Sequence, residues 1–147
     1  MRKPINSNER NTRIANKQED ELFPYYGATG LVGLIDDYLI DGHYLLLGED
    51  GAPFLDKYAE KAYSINGKCW VNNHAHILEP LIDLEYLRYY LNQIDYTNYV
   101  NGSTRLKLTQ SDMKLITILC PPLAEQKRIV DTVRKTFAKL ETIMESL

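Results

Sequence analysis

Near the C-terminus the chain repeats by threes and fours: Leu123, Gln126, Val130, Val133, Phe137, Leu140, Met144 and Leu147 fall on one stripe. That 3.5-residue period is the seam of a coiled coil. Ile129, Thr136 and Ile143 flank the stripe and widen it, so the helix is expected to pack on more than one neighbour. At 1.5 Å per residue it would run roughly 37 Å. Pro121 and Pro122 forbid helix before them and suit its start. Glu125 in the first turn favours the helix dipole, and Lys127, Arg128, Arg134, Lys135 and Lys139 fall off the seam.

Upstream, the pattern changes to short apolar runs. Residues Met1 to Glu21 hold almost no apolar side chains and mix both signs of charge, which reads as a mobile arm. Phe23 to Tyr26 reads as extended, and Gly27-Ala-Thr-Gly30 breaks it. Leu31 to Ile35 has strand length, and Asp41-Gly42 sets a turn before Tyr44 to Leu47. Leu45, Leu46 and Leu47 show no alternation, which predicts a strand covered on both faces. Gly48-Glu-Asp-Gly51 then leaves the sheet as a loop. A second hairpin is predicted from Ala62 to Val71, with Asn66-Gly67 as its tight turn. Asp83 is a good N-cap for a helix through Ile94, carried by Leu84, Leu87, Leu91 and Ile94. Asn98 to Thr104 reads as a polar loop and Arg105 to Leu108 as extended. Thr109 or Ser111 caps a short turn, and Lys114 to Leu119 forms a last strand running into the prolines.

Strands, helix, strands and a closing helix, without regular βαβ alternation, predict an α+β fold: a mixed β-sheet body followed by a long coiled-coil helix. The boundaries read as an arm over 1–21, a body over 22–120 and the helix over 121–147. A body of this size can bury a core without disulfides or metal. Cys69 and Cys120 lie far apart with no metal-type spacing, which suits a reducing compartment. No apolar stretch approaches the roughly 18 residues of a membrane span, and the N-terminus lacks a signal-peptide core. A cytoplasmic location is expected.

A net charge of −3 argues against a protein that coats nucleic acid by charge alone, so any DNA role must come from a local patch. Eleven tyrosines against three phenylalanines offer either a recognition surface or a core whose hydroxyls reach polar partners. Catalysis finds little support. Asp112, Glu125 and Lys127 loosely mimic a Mg²⁺ nuclease set, but Glu125 and Lys127 fall in one helical turn at a spacing that does not converge. Cys69, His74 and His76 lack the paired spacings of a structural zinc site. No phosphate-cradling Gly-rich loop and no nucleophile elbow is present. No metal and no cofactor is therefore expected.

Binding fits the residue types better. Base readout needs Arg, Lys, Asn and Gln, while Ser, Thr and backbone amides hold phosphates. Such residues cluster in the predicted loops: Thr29 in the Gly-rich turn, Lys68, Asn72, Asn73 and His74 around the predicted hairpin, and Ser103, Thr104, Arg105 and Lys107 after Asn101-Gly102. Arg105 and Lys107 alternate on an extended segment and so project to one face. Along the helix, Val130, Val133, Phe137, Leu140, Met144 and Leu147 are the expected pairing residues.

The stretch Pro121-Pro-Leu-Ala-Glu-Gln-Lys-Arg-Ile-Val130 resembles the junction between a target-recognition domain and its spacer helix in the DNA-specificity subunit of type I restriction-modification enzymes. Three blocks agree with it in the family's order: Tyr25-Tyr-Gly-Ala-Thr-Gly30, Tyr44-Leu-Leu-Leu-Gly-Glu-Asp-Gly-Ala52, and Gly102-Ser-Thr-Arg105 with Leu108-Thr-Gln-Ser-Asp112. The resemblance covers residues 22–147. It implies a non-catalytic subunit that binds double-stranded DNA and directs a separate methyltransferase subunit and, through it, a restriction subunit. S-adenosylmethionine would belong to that partner. It also implies a scaffold role for Glu49 and Asp50, whose block recurs across different targets. A full subunit of the family has two recognition bodies and two helices packed antiparallel, so this chain looks like half a subunit, either natural or cut from a longer one. A second copy or second half would pair through the helix. The competing readings are a small Mg²⁺-dependent nuclease and a coiled-coil interaction module without DNA binding.

Overall fold

The computed structural model describes residues 3–147; Met1 and Arg2 of the expected arm lie outside the described residues. Five strands form one sheet in the order β2-β1-β4-β3-β5: β1 is Phe23–Gly27, β2 Gly30–Ile35, β3 Ile40–Gly48, β4 Ala62–Val71 and β5 Ala75–Leu78. Among the described residues only the β1–β4 pair is parallel, joining Tyr25 to Trp70 and Tyr26 to Val71; the other pairs are antiparallel, so the sheet is mixed. Helices α1 (Ser7–Ile14), α2 (Leu84–Gln93), α3 (Gln110–Met113) and α4 (Leu123–Glu145) complete an α+β fold.

The Leu45-Leu46-Leu47 run lies at 0% exposure throughout because successive side chains point to opposite faces, and both faces are covered. Leu45 and Leu47 join Phe54, Leu91, Tyr96 and Leu108 beneath α2. Leu46 joins Ile65, Cys69, Val71 and Ala75 on the other face. A third cluster, Tyr25, Ile35 and Trp70, is roofed by Ile5 and Leu39. Burial pushes the Cys69 thiol up to about 11, with Asp41 adding to the shift, whereas Cys120 is exposed. At pH 8 a thiol reagent is therefore expected to modify Cys120 rapidly and Cys69 only after unfolding. Two equally fast thiols in a mass-resolved labelling course would contradict that burial.

Helix α2 starts where Asp83 accepts from the Tyr86 amide, as its N-cap predicts. Its position is set by Asn92, which accepts from the Lys61 and Ala62 amides and donates to the Ala62 carbonyl, sewing the helix to the start of β4.

Three sequence-based expectations give way. Neither Asp41-Gly42 nor Asn66-Gly67 makes a turn. Both sit inside long strands, and Gly42 pairs with Gly67 and His43 with Asn66 midway along the β3–β4 ribbon. The ribbon bends, so both ends of β4 reach β1: Val71 pairs with Tyr26 while the Tyr63 hydroxyl donates to the Gly27 carbonyl. Gly67 has φ +84°, a conformation that a Cβ would strain. The predicted strand 114–119 joins no sheet among the described residues: Lys114 and Leu115 form a turn that continues α3, and 116–119 run on without regular structure. Ile116 and Ile118 pack inward as alternation requires, while Tyr86 and Tyr90 hydroxyls donate to the carbonyls of Leu119 and Thr117. Finally, residues 7–14, read as part of an arm, form α1. Asn6 caps it by accepting from the Glu9 amide, and Arg13 pairs with Asp36 at 2.6 Å.

Those hydroxyl bonds explain much of the tyrosine content. Tyr25, Tyr63, Tyr86, Tyr90 and Tyr96 each donate to a backbone carbonyl, most of them joining separate segments.

Helix α4 begins at the prolines, with Pro122 as N-cap. Its stripe divides in two. Gln126 and Val130 are buried against the body, at 3% and 4% exposure, whereas Phe137, Leu140, Ile143, Met144 and Leu147 are exposed. Gln126 thus faces its own body. Its side chain accepts from the Asp83 amide at 2.9 Å and donates to the Pro121 carbonyl at 2.8 Å.

Candidate nucleic-acid interface

The loop after β3 is where the predicted binding segments converge. The amides of Glu49 and Asp50 both donate to the His74 carbonyl, the Gly51 amide to Leu106, and the Leu108 amide to Glu49. The 48–51 loop is therefore clamped between the 72–74 turn and the 105–108 segment. Gly51 has φ +77°, and a Cβ there would lie 3.0 Å from Arg105 Nε. Glycine at this position both permits the turn and leaves room for the guanidinium.

Side chains repeat the backbone's pattern. Asp50 receives Arg105 Nε at 2.6 Å and lies 3.2 Å from His74 Nδ1, although the latter contact lacks hydrogen-bond geometry. Glu49 lies 3.8 Å from Lys107 Nζ and 3.5 Å from His76 Nδ1; the buried His76 also contacts the Leu108 carbonyl through Nε2 at 2.9 Å. Arg105 and Lys107 have half or more of their side chains exposed, so these pairs contribute at most about 1 kcal/mol each to stability. Their effect is orientation. The ion pair with Asp50 holds Arg105 Nε at the loop while more than half of the side chain stays exposed, and a guanidinium so placed suits an acceptor such as a guanine edge or a phosphate.

Asn73, Ser103 and Thr104 are exposed next to this hub, while Asn72 is buried and its Oδ1 accepts from the His74 amide. Asn72 thus shapes the turn. Thr29 is exposed on the β1–β2 turn, whose Ala28 carbonyl lies beside Gly48. Lys68 lies elsewhere: it pairs with Asp41 in the β3–β4 ribbon and its ammonium sits 4.8 Å over the Tyr38 ring. Arg105 and Lys107 belong to no regular strand; Lys107 exchanges backbone bonds with Asn101 and bridges Asp50. Sequence reasoning weighed His76 only as a zinc ligand, because its position in β5 gives no sign that it will meet Glu49. It also passed over α1, whose mixed charge hides the cap pair Asn6 and Glu9.

Both carboxylates of the alternative nuclease set have local partners. The Asp112 carboxylate is held by Thr109 and Asn101 and that of Glu125 by Arg128. Among the described residues no group of three or more His, Cys, Asp or Glu could hold a metal ion. Nor, among the described residues, is any helix long and apolar enough to cross a membrane.

The chain is similar to a Haemophilus influenzae protein named for a type I restriction enzyme specificity subunit, 31% identical over 131 residues that cover 88% of this chain and 31% of that protein. It is 22% identical over 134 residues to the type I restriction enzyme EcoprrI specificity subunit of Escherichia coli, covering 90% of this chain and 32% of the relative. This chain thus spans about a third of each of these relatives. The crystal structure of a type I restriction-modification S subunit from M. genitalium shares the fold, with a TM-score of 0.59 at 16% identity over 88% of this chain and 36% of that one. The type I restriction modification DNA specificity domain model matches residues 4–146, and the chain belongs to that family.

Proposed function

We propose that this chain is a target-recognition module with its spacer helix, reading one half of a DNA target for a type I restriction-modification assembly. The observation that supports this most is the convergence of the 48–51, 72–74 and 103–107 segments, which directs Arg105, Lys107, Asn73 and Thr104 outward from one buttressed edge. Arg105 reads a base edge or clamps a phosphate, Lys107 holds a phosphate, and Glu49 with Asp50 keeps both poised. Methylation and cleavage are the work of a partner methyltransferase and restriction subunit. This chain is non-catalytic, takes no cofactor and acts in the cytoplasm. The exposed half of α4 pairs with the same helix of a second copy or second half, and this sets the spacing of two half-sites.

Arg105→Ala with Lys107→Ala is expected to lower duplex affinity on the order of tenfold to a hundredfold and to make the salt dependence shallower, because each phosphate left without its cation removes about 0.9 from the log–log slope. Fluorescence anisotropy across a salt series reads both quantities. An unmodified chain with no salt-sensitive duplex binding, alone or with its methyltransferase, would leave only the interaction-module reading.

A further inference from the structure

The helix that the sequence hides carries a cation that no carboxylate among the described residues pairs with. Arg10 lies on α1 with its guanidinium 5.2 Å over the Tyr25 ring, and its buried Nε donates to no acceptor. Its neighbour differs. Arg13, one turn on, pairs with Asp36 at 2.6 Å and lies 3.8 Å from Asp37. A side chain at Gly33 would crowd Arg10 Nη1 at 3.1 Å, so the glycine leaves the guanidinium room.

Arg10 opens on a cavity bounded by Asn6, Ser7, Tyr25, Asn72 and His74. His74 contributes a second buried nitrogen without a hydrogen bond, Nδ1. The Asp50 carboxylate near it is already engaged by Arg105 at 2.6 Å. A guanidinium that lines a cavity and has no carboxylate partner is best met by an oxyanion. Through His74 and Asp50 the cavity adjoins the loop that carries Arg105.

We infer that this cavity seats a phosphate oxyanion of the DNA backbone, with Arg10 as its principal donor. This rests on the DNA-binding reading above and extends the interface onto α1. Such a contact is independent of sequence and serves register, leaving base readout to the Arg105 loop.

Two measurements on the full chain test it separately. In the first, inorganic phosphate is titrated at constant ionic strength against chloride while the Arg10 Nε–H resonance is followed. A saturable shift is expected with phosphate alone. In the second, a random-sequence duplex is titrated across salt with the parent, Arg10→Gln and Arg10→Lys. Arg10→Gln keeps a polar side chain without the charge and is expected to lower the log–log slope by about one, while Arg10→Lys retains most of it. Parent-like slope and affinity in Arg10→Gln would overturn the inference and leave the Arg105 interface intact. A saturable phosphate shift in a chain that binds no duplex would remove DNA as the occupant and would sink the DNA-binding reading with it. No saturable shift with phosphate in the parent would mean that no phosphate site exists.

Discussion

Replacing Phe137 and Leu140 together by Asp is expected to convert a self-associated chain into a monomer while leaving the body folded. Both side chains are about half exposed, and Ile143, Met144 and Leu147 extend the same stripe to the end of the chain. A single helix does not keep such a stripe in water without consequence: each large apolar side chain withdrawn from solvent contributes on the order of 1.5–3 kcal/mol. Two helices meeting along it bury the stripe twice. Antiparallel packing about a twofold axis would place the two bodies at opposite ends, the arrangement that two half-sites require. A charge at both central positions brings four carboxylates into one seam and removes the gain. Light scattering of the parent and variant reads the mass directly, and circular dichroism checks the fold. A monomeric parent would instead assign the stripe to a covalently linked second half or to another subunit.

Gln126→Ala is expected to destabilise the chain by roughly 2–4 kcal/mol, because two part-buried backbone groups each lose a partner at about 1–2 kcal/mol. The groups are the Asp83 amide and the Pro121 carbonyl, on the two sides of the joint between body and helix. In a chain of this size that is a fall in melting temperature of about 4–16 °C. The substitution also loosens the angle at which α4 leaves the body, so duplex binding by a dimer should weaken more than binding to one half-site. Unchanged melting would show that the joint is held by the prolines and Val130 alone. The same pair of bonds explains why a polar residue occupies a stripe of apolar ones. Gln126 faces polar backbone at a helix start, where an apolar side chain would leave both groups unpaired.

Helix α4, its sharp start, the Asp83 cap of α2 and the doubly covered leucine strand are determined locally and were legible in the sequence. Each depends on a period or cap within one segment: three-four spacing, paired prolines, a carboxylate three residues before an amide, an unbroken apolar run. The loops that bring Arg105 and Lys107 together were legible only as separate polar stretches. Their meeting depends on Glu49 and Asp50 bonding to segments far along the chain.

Tertiary structure decided what local signals misjudged. Asn-Gly and Asp-Gly permit a turn, but here each faces the other across a ribbon whose apolar flanks gain more by pairing over their whole length and bending as one. The 116–119 segment alternates like a strand but joins no sheet among the described residues, so tyrosine hydroxyls take carbonyls that a ladder would have used. Helix α1 has no buried residue, and only the surface that receives Ile5, Arg10 and Arg13 gives it a place. Propensity and period act over a few residues and can be read along the chain. Which distant group satisfies a carbonyl, or leaves a guanidinium without a carboxylate, is settled only when the sheet has closed.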